Sequence, residues 1–103
     1  MKAKYTVIPA SHVDRQLVQH IQFITRVSVK AARTFRDEFE KVLDKLEENP
    51  LEFPFDTDPN LPSELYHKAI FAKWYKALFI VEGNIVYLDA VVDCRQSTDS
   101  YGL

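Results

Sequence analysis

One helical segment constrains the fold of this chain more than any other feature. Its apolar residues recur at alternating spacings of three and four: Ala32, Phe35, Phe39, Val42 and Leu46. This period places the five side chains on one face of an α-helix and the intervening charges on the other. Ser28 is a suitable N-cap for the helix. Asn49-Pro50 marks its end, because the residue before a proline avoids the α region.

A second apolar stripe precedes this helix. It consists of Val13, Leu17, Ile21 and Ile24. The stripe predicts another helix, with Ser11 and Asp14 as its candidate caps. Two helices joined within a few residues form an αα-hairpin. Before them, the β-favouring run "AKYTVI" (3–8) predicts a short strand that ends at Pro9.

The last third of the chain has the composition of β-structure. A loop that contains four of the five prolines (50–62) leads into it, and Phe53 and Phe55 are expected to pin this loop. Three strand-like runs follow: "ELYHKAIF", "KWYKALFIV" and "IVYLDAVVD", the last two joined by a short connection with glycine. Alternation along the last strand predicts one face made of Val86, Leu88, Ala90 and Val92, and another made of Tyr87, Asp89, Asp93 and Arg95.

The predicted order of elements is β-α-α-β-β-β. It indicates an α+β fold in which an N-terminal helical hairpin packs on a mainly antiparallel sheet. With 103 residues, the whole chain (1–103) is expected to be a single domain. One cysteine, no apolar leader and no membrane-spanning run favour a cytoplasmic protein that does not contact membranes.

Charge argues against general nucleic-acid binding. The net charge is −2, and general nucleic-acid binders usually carry a basic excess. Residues 1–49 carry nine basic and seven acidic side chains, whereas residues 50–103 carry four and eight. Any role on nucleic acid must therefore rest on a local cluster. The histidines and the cysteine lack metal-ligand spacing, so neither a metal nor another cofactor is expected.

Two stretches, "AARTFRDEFEKVLDKLEENPLEFP" and "YKALFIVEGNIVYLDAVVDCRQ", resemble the RelE/ParE superfamily of bacterial toxins. These toxins belong to type II toxin–antitoxin (plasmid stabilisation) systems. The resemblance covers residues 4–96. In the family, a tyrosine and a basic residue begin one strand, as Tyr75-Lys76 do here. The next strand ends in basic residues, at the position of Arg95.

The resemblance implies a toxin neutralised by a cognate antitoxin in a hetero-oligomer. RelE-like members cleave mRNA on the ribosome, which would make this chain an endoribonuclease. Lys76 and Arg95 would then stabilise the phosphate, and Tyr101 would assist proton transfer. Lys68 and Lys73 could correspond to family lysines on the preceding strand, and His67 is a lesser candidate for a general acid or base.

Each of these residues also has an interpretation without a catalytic role, and for Tyr101, close to the C-terminus, the alternative is disorder. Arg95 could pair with a neighbouring aspartate, His67 could be a half-buried sheet residue, and the lysines could be solvated strand positions. ParE-like members inhibit DNA gyrase by protein contact, and here the helical hairpin near Arg33 and Arg36 would make that contact. The length of the helix from Ser28 to Glu48 and the lysine at position 76 favour that alternative somewhat. The acidic balance argues for weak catalysis, a protein target or a loss of activity. An inactive relative that retains only partner binding is the third possibility.

Overall fold

The structure, a computed structural model, describes residues 4–103 and confirms the predicted α+β architecture. The elements are β1 (Thr6–Pro9), α1 (Val13–Val27), α2 (Val29–Glu48), β2 (His67–Phe71), β3 (Tyr75–Glu82) and β4 (Ile85–Asp93). Short 3-10 turns follow α2 and β4, at Pro50–Glu52 and Thr98–Tyr101. Within residues 4–103, no helix has the length and apolar character needed to cross a membrane.

The four strands form one mixed sheet in the order β1-β4-β3-β2. β1 runs parallel to β4, and the other neighbouring pairs are antiparallel. The first strand was predicted over 3–8. Residue 3 lies outside the described residues, and the strand begins at Thr6 and includes Pro9. The proline fits there because β1 is an edge strand, where a missing N–H can face away from the sheet.

α2 forms as its sequence predicts. All five residues of its apolar stripe are buried, and the helix ends at Glu48, before Asn49-Pro50. The Ser28 hydroxyl accepts a hydrogen bond from the Ala31 N–H at 3.1 Å, so it caps the helix. This cap satisfies one of the N–H groups that the first turn of a helix leaves free.

The predicted caps of α1 are wrong. The helix begins at Val13, and the residue before it, His12, makes no side-chain cap. Neither Ser11 nor Asp14 occupies the capping position. The Val13 N–H bonds instead to the Ala10 carbonyl, which closes a turn directly before the helix.

The main core lies between the hairpin and the sheet. Its fully buried centre includes Phe35, Leu46, Phe79 and Leu88. A smaller cluster lies on the opposite face of the sheet, where the chain after α2 and the C-terminal turn cover it. This cluster consists of Leu61, Tyr66, Leu78, Ala90, Val92 and Tyr101. The sheet is therefore covered on both faces, and the second cover positions the candidate site.

A bulge in β4 overturns the predicted alternation. Leu78 pairs with Ala90, but the next residue of β3, Phe79, pairs with Leu88, so Asp89 is an extra residue. Because of this extra residue, the side chains that follow it along β4 point to the face of the sheet opposite to the one predicted. Leu88 belongs to the core under the helices, whereas Ala90 belongs to the cluster on the opposite face. The four residues predicted to share one face are thus divided between two.

The predicted loop and the start of β2 also differ in detail. Phe53 packs on the main core, whereas Phe55 remains 39% exposed and fixes the loop through a backbone bridge to His67 and contact with its ring. β2 begins at His67 although the β-favouring run starts at Glu64. Glu64 has a φ of 54°, which interrupts an extended chain.

Candidate functional site

Lys76, the first predicted phosphate-binding residue, lies in a buried ion pair. Its side chain projects from β3 on the face away from the helices, and its ammonium donates to the Asp56 carboxylate at 2.6 Å. The lysine and aspartate side chains are only 9% and 4% exposed. Burial acts to lower the pKa of Lys76, but the hydrogen bond and charge of Asp56 outweigh it, with help from Tyr101, so the pKa is raised. The charge of Lys76 is therefore retained but neutralised inside the protein.

The loop before β2 holds Asp56 in this position. The Asp56 N–H donates to the Tyr66 carbonyl at 2.7 Å, which aligns the loop beside the start of β2. One carboxylate oxygen of Asp56 accepts from the Asp58 N–H, in a local turn. Asp58 in turn accepts from the Thr98 hydroxyl at 2.7 Å. Loop and C-terminal turn are thus tied together over Lys76.

Tyr101, the predicted proton-transfer residue, is a core side chain. It is 2% exposed, and its ring centre lies 5.2 Å from the Lys76 ammonium, within the range of a cation–π contact. Its carbonyl accepts from the Gln16 side-chain amide of α1 at 2.8 Å. The structure therefore brings Tyr101 and Lys76 together, as the site predicted from sequence requires. It also closes that pair off from solvent.

Arg95 lies in a different environment. Its guanidinium makes two hydrogen bonds with Asp93, Nε to Oδ1 at 2.9 Å and Nη2 to Oδ2 at 2.7 Å. It also lies 5.1 Å from the Trp74 ring, and its side chain is 51% exposed. The hydrogen bonds from Arg95 lower the pKa of Asp93 against the effect of burial. Arg95 is thus accessible, but a carboxylate already occupies the donors that a phosphate would use.

The three lesser candidates do not form one cluster. His67 is buried between Phe55 and Phe79, and its Nδ1 lies 2.8 Å from the Phe53 carbonyl, which fits a structural role. Lys68 is half-buried and pairs with Leu78, which lies two residues from Lys76 along β3. Lys73 is exposed in the β2–β3 turn, with a φ of 69°.

Sequence reasoning did not find the polar row of α1, which consists of His12, Gln16 and His20. β1 pairs only with the first four residues of β4, and beyond them this row takes the place of a neighbouring strand. The Val91 N–H donates to the Gln16 side chain at 2.9 Å, and His20 Nε2 lies 2.8 Å from the Val91 carbonyl. His12 Nε2 contacts the Asp89 carbonyl. The spacing of four residues was the available signal, because it places all three on one side of the helix.

A cleft of about 470 Å³ lies between the second half of α1 and the end of β4. His20, Phe23, Tyr75, Asp93 and Arg95 contribute to its walls. Burial and the charge of Asp93 raise the pKa of Tyr75, while Arg95 acts in the opposite direction. The cleft is polar, and the two opposite charges in its wall are paired with each other.

The predicted site residues are poorly placed to bind a phosphate or to stabilise its transition state. Of the side chains predicted to bind the phosphate, Lys76 forms a salt bridge with Asp56, and Arg95 forms one with Asp93. Among the described residues, no group of three or more His, Cys, Asp or Glu side chains is placed to hold a metal ion. No model of a known protein family matches this chain, and no curated protein matches it significantly.

Proposed function

We propose that this chain is a RelE/ParE-type toxin that binds a cognate antitoxin and inhibits growth through protein contact with its target. Of the two targets that the resemblance implies, DNA gyrase is the one that ParE-like members inhibit by protein contact. One observation carries the preference for contact over mRNA cleavage: the cations of the expected phosphate site are paired with Asp56 and Asp93. Cleavage needs preorganised cations that are free to offset the negative charge developing on the phosphate.

A groove beside β1 supports the expectation of an antitoxin. It has a volume of about 450 Å³ and lies between β1 and the two helices. Its walls include Val7, Leu17, Phe39 and Leu43. β1 is also an edge strand of the sheet, and such an edge accepts a further strand. An extended or helical antitoxin segment would bury apolar side chains in this groove, in the cytoplasm where toxin and antitoxin are made.

Ribosome-dependent mRNA cleavage is the second candidate, and the geometry of Arg95 favours it. The guanidinium is half-exposed and stacked near Trp74, which is itself 49% exposed. Aromatic and arginine side chains together can stack an RNA base and contact its phosphate. In that case the phosphate must replace Asp93 as the partner of Arg95, and Lys76 must separate from Asp56.

Induced expression with pulse labelling of new DNA and new protein tests the proposal. We expect DNA synthesis to fall first, with protein synthesis initially intact. The proposal also predicts a small antitoxin reading frame beside this gene, and its co-expression should restore growth. An early fall in protein synthesis would instead support mRNA cleavage, and undisturbed growth would refute a toxin of either kind.

A matched pair of variants separates contact from cleavage. Arg95→Gln removes the charge from the exposed candidate residue, and Lys41→Gln makes the same change on an exposed position of α2. We expect both variants to inhibit growth like the wild type. Loss of inhibition in Arg95→Gln alone, with an unchanged circular dichroism spectrum, would support cleavage.

A further inference from the structure

The corner between the two helices, residues 23–33, carries a concentrated positive charge. From Arg15 to Arg36 the chain has five basic residues and no acidic one. The rest of the chain has eight basic and fifteen acidic residues, a net charge of −7. All five basic residues are exposed. The positive charge is therefore concentrated in this stretch, and three of its five basic residues, Arg26, Lys30 and Arg33, lie in the corner itself.

Large apolar side chains are exposed at the same corner. Phe23 is 59% exposed, Val27 79% and Val29 57%. Phe23 and Val27 lie one turn apart on α1 and so on one side of it, and Val29 begins α2 directly after Ser28. Single exposed apolar residues are common, but three at one bend, surrounded by charges of one sign, indicate a binding surface.

Within residues 4–103, the basic residues of the corner form no salt bridge. The salt bridges found among residues 4–103 join Lys76 to Asp56 and Arg95 to Asp93. The first turn of α2 also lacks an acidic residue and instead contains Lys30. A cation at the N-terminus of a helix opposes the helix dipole. The corner therefore costs some stability, which an anionic partner would restore.

We infer that the hairpin corner binds an acidic amphipathic segment of a partner protein. Apolar side chains of that segment would cover Phe23, Val27 and Val29, while its carboxylates meet Arg26 and Lys30. Charges at the rim of such an interface set the rate and specificity of association, and the apolar centre supplies affinity. The inference rests on the proposed function, which assigns the chain protein partners, and deepens it by naming the surface and the chemistry of one of them.

A protein segment fits this corner better than other anionic partners. An RNA strand would extend beyond the corner and be repelled by the acidic remainder of the molecule. The exposed valine side chains, moreover, cannot donate hydrogen bonds to phosphates. An anionic membrane would attract the same cations, but three apolar side chains provide little surface for insertion. A second copy of this chain could supply carboxylates from its acidic part. These three partners are outcomes that the experiment distinguishes.

Binding of a synthetic helical peptide to the purified full chain tests the inference. The peptide carries a leucine stripe flanked by glutamates, and its counterpart with lysines in place of the glutamates is the control. Fluorescence anisotropy at low and high salt reports binding. We expect the glutamate peptide alone to bind, with an affinity that falls as salt screens the charges.

Charge-reversal variants locate the binding surface. Arg26→Glu combined with Lys30→Glu should weaken peptide binding by about tenfold or more. Lys41→Glu combined with Lys45→Glu makes the same change at exposed positions farther along α2 and should leave binding within about twofold. Phe23→Ser should also weaken binding by about tenfold, since aromatic side chains commonly act as interface anchors.

Several results would overturn the inference. Equal binding of the two peptides, or equal losses in the two charge-reversed proteins, would show that the corner is not the site. Tighter binding of single-stranded RNA or of phosphatidylserine–phosphatidylcholine vesicles, lost in Arg26→Glu with Lys30→Glu, would replace the protein segment by that partner. A dimer in size-exclusion chromatography that the same variant dissociates would identify a second copy of this chain.

The outcome for the corner is distinguishable from the outcome for the proposed function. If the peptide binds at the corner but expression does not inhibit growth, the toxin proposal fails and the binding surface remains. If expression inhibits growth equally with and without the charge reversal, and the peptide does not bind, the inference about the corner fails alone.

Discussion

Asp56→Ala is expected to destabilise the protein by about 3 kcal/mol, because it leaves the Lys76 ammonium buried without its partner. The wild-type contact is 2.6 Å long, and both side chains are more than nine-tenths buried. Breaking such a pair from one side commonly costs about 3–5 kcal/mol. We expect the lower end because the Tyr101 ring, 5.2 Å from the ammonium, still stabilises the charge.

Urea unfolding followed by circular dichroism measures this change, and thermal unfolding provides a second estimate. For a domain of this size each kcal/mol lowers Tm by about 4–8 °C, so a fall of roughly 10–25 °C is expected. The matched variant is Asp56→Leu combined with Lys76→Met, which removes both charges and should recover most of the loss. A loss of stability below about 1 kcal/mol in Asp56→Ala would refute the reasoning, because contributions that small are typical of salt bridges exposed to solvent.

The same pair predicts a pH dependence. The pKa of Lys76 is raised in the folded protein, so its contribution is fully present below the ordinary lysine value of 10.5. That contribution is lost as the pH rises through the folded pKa. The stability difference between the wild type and Asp56→Ala should therefore close only at strongly alkaline pH. A difference that closes near neutral pH would contradict a raised pKa.

Three further changes test other parts of the fold. Ser28→Ala should cost about 1 kcal/mol in urea unfolding because it removes the cap of α2, whereas Ser11→Ala, at a position that caps no helix, should cost almost nothing. Gln16→Leu should cost about 2 kcal/mol or more, since it leaves the Val91 N–H and the Tyr101 carbonyl without their hydrogen-bond partner. Gln19→Leu, at an exposed position of α1, is the control, and equal losses of stability in the two variants would refute the role of the polar row. Asp93→Asn should reduce the loss of stability on acidification. The lowered pKa of Asp93 means that its carboxylate stabilises the fold above the ordinary value of 3.8, and that this contribution is lost as the pH falls through the folded pKa. Parallel acid-unfolding curves of the variant and the wild type would contradict this expectation.

Most parts of the fold that depend on local rules were predictable from the sequence, although the caps of α1 were not. The stripe from Ala32 to Leu46 is buried as its period requires, Ser28 caps α2, and the helix stops before Asn49-Pro50. Such features depend on residues within one or two helical turns of each other, so the pattern of a single sequence is enough to predict them. Strand β4 is likewise found at Ile85–Asp93, the range of its apolar run.

Features that depend on distant residues were not predictable. The extra residue Asp89 reverses the sidedness of β4, and the sequence around it has the alternation of a regular strand. The position of Lys76 on a strand followed from sequence, but its partner is Asp56, twenty residues earlier in an irregular loop. Pairing of this kind is decided by how the loop folds back over the sheet. A catalytic prediction based on residue types alone therefore overlooks whether the charges are already neutralised.

The contrast between the two cationic regions is what favours contact over catalysis. On the sheet, Lys76 and Arg95 lie within hydrogen-bonding distance of carboxylates that this chain itself provides. At the hairpin corner, Arg26 and Lys30 belong to a stretch of the sequence that has no carboxylate, beside apolar side chains that the fold leaves exposed. The buried pair of Lys76 and Asp56 resists an incoming anion because exchanging its partner exposes a desolvated charge, and the donors of the half-exposed Arg95 are already used by Asp93. A surface cation that forms no salt bridge among residues 4–103 accepts an anion without that cost. Under the proposed function, a partner of this kind would therefore be recognised at the hairpin corner, in addition to the antitoxin segment in the groove beside β1.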